Sequence, residues 1–151
     1  MMKRKSLQGD MCPIARALDV IGDWWSLLIV RNAMLGTRRF SAFQKDLGVA
    51  KNILTVRLRT LVAEGILEVQ PAADGSAYQD YVLTPKGRAL FPVLVALRQW
   101  GEEFSFKPNE DFSKLLDKRH GKPLRKLEIR AEDGRVLNQT ETTVRLAGAQ
   151  A

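Results

Sequence analysis

The chain has one cysteine and one histidine in 151 residues. A single thiol, Cys12, excludes an internal disulfide and agrees with a reducing compartment. A zinc site needs more ligands than one His and one Cys supply, so no structural metal and no cofactor is expected. No apolar run approaches the ~20 residues that span a bilayer. The basic start Met1-Met2-Lys3-Arg4-Lys5 is followed by the polar stretch Ser6 to Asp10, not by the apolar core of a signal peptide. These absences lead to the expectation of a cytoplasmic chain with no membrane partner. Gly-rich phosphate loops, a Ser-His-Asp set and paired carboxylates in a catalytic context are also missing. A Cys12–His120 dyad is all that an enzymatic reading has to build on, and the chain is expected not to be an enzyme. No Gly/Ser-rich linker, low-complexity tract or internal repeat interrupts it.

What is present in excess is positive charge. Lys and Arg number 24 against 17 Asp and Glu, a net +7, which points to an anionic partner. The excess is local: residues 36–60 hold Arg38, Arg39, Lys45, Lys51, Arg57 and Arg59 against the single acid Asp46. A cluster of that kind is either a solvated face or a nucleic-acid footprint.

Punctuation and periodicity divide the chain. Residues 1–10 read as a flexible basic arm. Cys12-Pro13 opens a helix, with proline at the first helical position, and Ile14, Ala17, Leu18 and Ile21 carry it to Gly22. Asp23 is the expected N-cap of a helix over 24–35, apolar on most sides. Arg38-Arg39-Phe40 reads as an extended link with Phe40 turned to the core. Ser41 is the expected cap of a third helix, 42–47, closed by Gly48. A fourth helix, about 51–64, places Leu54, Leu58, Leu61 and Val62 on one face, with Gly65 at its C-terminal end. Strands then follow at 66–69 and 78–83 around the turn Asp74-Gly75. Thr84-Pro85 is the expected start of a long last helix, 85–104, with apolar Leu90, Val93, Leu94, Leu97, Trp100 and Phe104. The order predicts a mainly α fold with a small β-hairpin wing, a winged helix-turn-helix, over residues 11–106. Residues 107–151 form a C-terminal extension, in which a short helix over 110–119 and a hairpin around Asp133-Gly134 are the elements the pattern suggests.

In a helix-turn-helix the second helix enters the major groove. Here its outward face carries Lys51, Thr55 and Arg59 in a line four residues apart, flanked by Asn52. Asn suits an adenine edge, Lys or Arg a guanine edge, and the Thr methyl a thymine methyl. Arg38, Arg39 and Arg57 are placed for the phosphate backbone, and Ser41 is a further candidate DNA contact. The wing tip, 72–79, lacks Lys and Arg, leaving Ser76 and Gln79 as its groups for the minor groove. The expected partner is double-stranded DNA. A winged helix that binds proteins instead is the alternative.

The ordered set Cys12-Pro13-Ile14, Asp19 to Ile29, Arg38 to Phe43, Ile53 to Leu61, Gly65-Ile66-Leu67, Tyr81 to Gly87 and Trp100-Gly101 resembles the HxlR-type winged-helix regulators, relatives of the MarR group. The resemblance covers about three fifths of the chain. It implies a homodimer formed mainly by the first and last helices of this stretch, on a roughly palindromic operator. Val49-Ala50-Lys51-Asn52 departs from the family's usual entry to the reading helix, so the bases read do not carry over. Ile14, Leu18, Val93, Leu94, Leu97, Trp100 and Phe104 are the candidate dimer residues; so much apolar surface on a terminal helix itself suggests a partner. Some members of the family sense oxidants or electrophiles through the matching cysteine. Here Cys12 stands at a helix start with Arg16 one turn on, a setting that favours a thiolate. A redox signal at Cys12 and a small-molecule effector are both left open.

Overall fold

The computed structural model describes residues 5–148; the part of the expected basic arm that falls on residues 1–4 lies outside them. The chain forms two compact units, one up to Phe91 and one from Pro92.

Near the start of the first unit the Leu7 backbone N–H donates to Asp19 Oδ1 (2.7 Å) of the helix that follows. That helix, α1, is Pro13–Ile21, with Cys12 at its N-cap. In α2, Trp24–Met34, Asp23 accepts from the Ser26 backbone N–H at 2.9 Å and from its hydroxyl at 2.6 Å. This double contact caps the helix and satisfies Ser26, which is fully buried. The third helix, α3, is Phe40–Leu47 and starts before the expected cap: Arg39 is the N-cap and Ser41 lies inside the first turn. The cause is on both sides of the boundary. The Arg38 carbonyl accepts from Tyr81 N–H at 2.7 Å, which holds the link extended, and Phe43 N–H already closes onto the Arg39 carbonyl at 3.0 Å. That turn brings Phe43 into the core; Phe40 is half-buried.

The fourth helix, α4, is Lys51–Ala63, and Leu54, Leu58 and Leu61 are its buried face. Gly65 at φ 72° lets Ile66 N–H turn back to the Leu61 carbonyl at 2.9 Å, the left-handed termination that glycine permits. Strands β1 (Leu67–Pro71) and β2 (Gln79–Leu83) pair antiparallel, Leu67 facing Leu83 and Pro71 facing Gln79. The core of this unit is Ile29 and Val30 of α2, Phe43, Val49, the three α4 leucines, Ile66 and Leu67. Helices α3 and α4 are the two arms of a helix-turn-helix, and the β1–β2 hairpin after them is the wing.

The expected long helix over 85–104 is two helices. α5 is Pro85–Arg88 and α6 is Phe91–Phe104. Pro92 is the reason. It has no N–H to donate to the Arg88 carbonyl, and its ring crowds that same carbonyl, so the helical ladder cannot run through.

In the second unit α6 holds the extension through side-chain-to-backbone bonds. Arg98 donates to the Ser113 carbonyl (2.8 Å), and the Gln99 amide both donates to the Arg125 carbonyl (2.9 Å) and accepts from Leu127 N–H (2.8 Å). The helix expected over 110–119 does not form. The expected hairpin is reduced to one bridge, Arg130 to Val136, and another bridge joins Leu116 to Pro123. Arg130, Val136, Leu116 and most neighbours are exposed, so little burial rewards longer pairing. Among the described residues no helix is long and apolar enough to cross a membrane.

Candidate nucleic-acid interface

The site is built on α4. Burial of Leu54, Leu58 and Leu61 turns the opposite side outward. Lys51, Asn52 and Arg59 are exposed there, with Thr55 half-exposed between them. The Thr55 hydroxyl donates to the Lys51 carbonyl at 2.8 Å. This ties its polar end to the helix and leaves the methyl as its free group. No side chain caps the start of α4, where Ala50 is the N-cap, so the first N–H groups stay available to an anion.

Arg57 is differently engaged. Its Nε lies 3.3 Å from Asp23 Oδ2, the carboxylate that also caps α2. It pins α4 to the start of α2 and is two-thirds withdrawn from solvent.

The arginine pair before α3 divides. Arg38 is 54% exposed, with Nη1 at 3.8 Å from Asp80. Arg39 is turned into the wing. Its Nη2 pairs with Asp74 and donates to the Ser76 hydroxyl at 3.2 Å, its Nε is 3.9 Å from Asp80, and its guanidinium lies 5.0 Å from the centre of the Tyr78 ring. Asp80 is buried at 4% exposure and also accepts from Ala73 N–H at 3.4 Å. Arg38, Arg39, Ser41, Asp74 and Asp80 line a cleft of about 310 Å³ between the start of α3 and the wing. The Asp74 carboxyl is lowered from 3.8 to about 2 by the Ser76 backbone N–H first, then by the Ser76 hydroxyl and by Arg39. Ser76 and Gln79 are exposed on the wing.

The structure therefore gathers Lys51, Asn52, Thr55 and Arg59 on one outward face, and Arg38, Arg39 and Ser41 around one cleft. The wing carboxylates Asp74 and Asp80 complete that cleft and were missed by sequence reasoning; the available signal was one acid within, and one directly after, a wing tip without bases of its own.

Cys12 is exposed. Its backbone N–H donates to Asp10 Oδ1 at 2.8 Å, and the Arg16 guanidinium donates to the Asp10 carbonyl. The candidate dimer residues Ile14 and Leu18 of α1 are exposed, as are Val93, Leu97, Trp100 and Phe104 of α6; Leu94 is half-buried.

A family model described as HxlR-like helix-turn-helix matches residues 20–109. The uncharacterized HTH-type transcriptional regulator Rv3095 of Mycobacterium tuberculosis is 40% identical over 95 residues, 63% of this chain and 60% of the relative. The match thus spans about three fifths of that relative's length. Among solved structures, PA1607, described as a candidate transcription factor, is 53% identical with a TM-score of 0.87, covering 91% of this chain and 96% of that one. The redox regulator HypR in its reduced form is 31% identical with a TM-score of 0.56, covering 61% of this chain and 92% of that one.

Proposed function

This chain belongs to the HxlR-like helix-turn-helix family of transcription regulators, and from that premise we propose that it reads a pseudo-palindromic DNA operator as a homodimer, with no catalytic activity of its own. The observation that carries the reading is the outward face of α4, where Lys51, Asn52, Thr55 and Arg59 stand opposite the buried leucines. Asn52 and Arg59 are the base readers, Lys51 and the Thr55 methyl support them, and the exposed Arg38 takes a phosphate. Arg57 acts by holding α4 in place. The reading implies a cytoplasmic protein.

Two exposed features suit a regulating signal. Cys12 is an accessible thiol at a helix start, and the similar protein HypR is named a redox regulator. A second cleft of about 460 Å³, lined among others by Met34, Arg38, Tyr81, Val82, Arg88 and Phe91, has the size and mixed lining of a small-molecule site.

The test is fluorescence anisotropy with a labelled duplex from the gene's own upstream region, beside a scrambled duplex, over a salt series. Tight binding of two protomers to the native duplex, falling steeply with salt, supports the reading. Equally weak binding to that duplex, to the scrambled one and to a pool of genomic fragments overturns it in favour of a protein-binding winged helix. Hydrogen peroxide added to the bound complex then tests the signal: release of the wild type with retention of Cys12→Ser assigns sensing to Cys12, and equal release of both removes it.

A further inference from the structure

Resting on that reading, we propose that Arg39 is a positioning residue that latches the wing onto the start of α3, not a contact to the DNA backbone. The wing tip has no cation of its own between Ala72 and Gln79, so something other than its charge must place it on DNA. Arg39 stands in the extended residue before α3, and four groups of the wing surround its guanidinium. Asp74 pairs with it, the Ser76 hydroxyl accepts from it at 3.2 Å, the Tyr78 ring lies at 5.0 Å, and Asp80 lies at 3.9 Å. These groups come from the tip and the returning strand, 35 to 41 residues further along the chain.

A solvent-exposed ion pair alone does little to hold a loop. Here the pair is joined by a hydrogen bond, a cation–π contact and a buried carboxylate, and the planar guanidinium is the group that suits several such contacts together. The neighbouring backbone points the same way: the Arg38 carbonyl accepts from Tyr81 N–H, so the link before α3 and strand β2 are already joined. Arg39 extends that junction from the strand to the tip. A guanidinium so engaged is a poor phosphate contact, because a phosphate must displace Asp74 to reach it.

Phosphate contacts and latches differ in their salt dependence. A lost phosphate contact lowers the slope of log affinity against log salt by about 0.9. A lost latch lowers affinity without lowering the slope. Asp74→Asn gives a second sign: removing a negative charge near DNA strengthens binding on charge grounds, so weaker binding can come only from a misplaced wing. The experiment measures native-duplex anisotropy over a salt series for the wild type, Arg39→Ala, Arg39→Lys, Asp74→Asn and the Arg39→Ala/Asp74→Asn pair. Amide exchange of residues 73–79 is followed in the same proteins without DNA. The latch predicts binding about fivefold weaker in Arg39→Ala and in Asp74→Asn, no further loss in the double variant, an unchanged slope, and faster exchange at the wing tip in both. Arg39→Lys keeps the charge but not the fork, and falls between. A slope lowered by about one unit in Arg39→Ala, with binding kept or strengthened in Asp74→Asn, overturns the latch and makes Arg39 a masked phosphate contact. Unchanged wing exchange in Arg39→Ala overturns it as well, and that arm judges the latch even where the wild type binds no duplex and the DNA reading itself has failed.

Discussion

Gly87 has no room for a side chain. A Cβ built there meets the Ile66 carbonyl oxygen at 2.2 Å and Leu83 Cδ2 at 2.9 Å. The crowding arises because α5 starts where the wing returns: the Thr84 side chain accepts from Gly87 N–H at 3.1 Å and donates to the Gly65 carbonyl. One threonine thus joins the turn after α4 to the base of the wing. Gly87→Ala must push α5 away from backbone that cannot give, and is expected to lower stability by about 1–3 kcal/mol, read as a lower denaturant midpoint. Asp74 gives a second residue-scale prediction. Its carboxyl is lowered from 3.8 to about 2, by the Ser76 backbone N–H first and by the Ser76 hydroxyl and Arg39 after it. A folded value below the unfolded one means that the associated stability is complete above pH 3.8 and is lost as pH falls toward about 2. Titration of the Asp74 carboxyl carbon should therefore show no change between pH 5 and 8. In Arg39→Ala the value should rise but stay below 3.8, because the Ser76 backbone N–H remains. A full return to 3.8 would mean that Arg39 is the dominant cause.

At the scale of elements, the base contacts proposed for α4 and the phosphate contact proposed for Arg38, before α3, are of two kinds that salt can tell apart. Asn52→Ala or Arg59→Ala is expected to cost about 1–3 kcal/mol on the native duplex and to narrow its lead over a scrambled one. Arg38→Ala should weaken both duplexes alike and flatten the salt slope by about 0.9. Competition anisotropy with the two duplexes checks both, and equal behaviour of Asn52→Ala and Arg38→Ala would refute the division. The outward face of α4 was legible in the sequence because a leucine stripe at helical spacing determines what lies opposite it. The helix starts at Pro13 and Lys51 and the turn at Gly65 were legible for the same kind of local reason. The engagement of Arg39 and Arg57 was not: their partners, Asp74 and Asp23, lie 35 and 34 residues away, and no local pattern encodes a contact across the fold. Pro92 was legible in principle, since a proline within an apolar periodic run breaks it. The extension was the least readable part, because alternating residues from Lys126 to Ala131 resemble a strand while only one bridge forms.

At the scale of the molecule, the question is what covers α6. Val93, Leu97, Trp100 and Phe104 are 41%, 51%, 63% and 64% exposed. Their spacing is i, i+4, i+7 and i+11, which keeps them within about 60° of one another around the helix. Val95, the buried residue of α6, lies on the opposite side. An apolar seam of heptad spacing is the pattern by which one helix packs on another. A second copy of this chain, the partner proposed above, would meet both demands of that reading: it would offer the same seam in return, and a two-fold axis could set two α4 helices about 34 Å apart, one turn of DNA. Leu97→Asp sits at an exposed position, so folding should be kept, with an unchanged helical circular dichroism spectrum. The expected outcome is a monomer by light scattering. Binding to a single half-site should be unchanged, since α4 is untouched, while binding to the full operator should fall about 100-fold or more as two linked contacts become independent. A Leu97→Asp protein that stays dimeric would move the interface off α6. One that becomes monomeric yet holds the full operator as tightly as before would show that a single reading head suffices, and the palindromic operator would then lose its support.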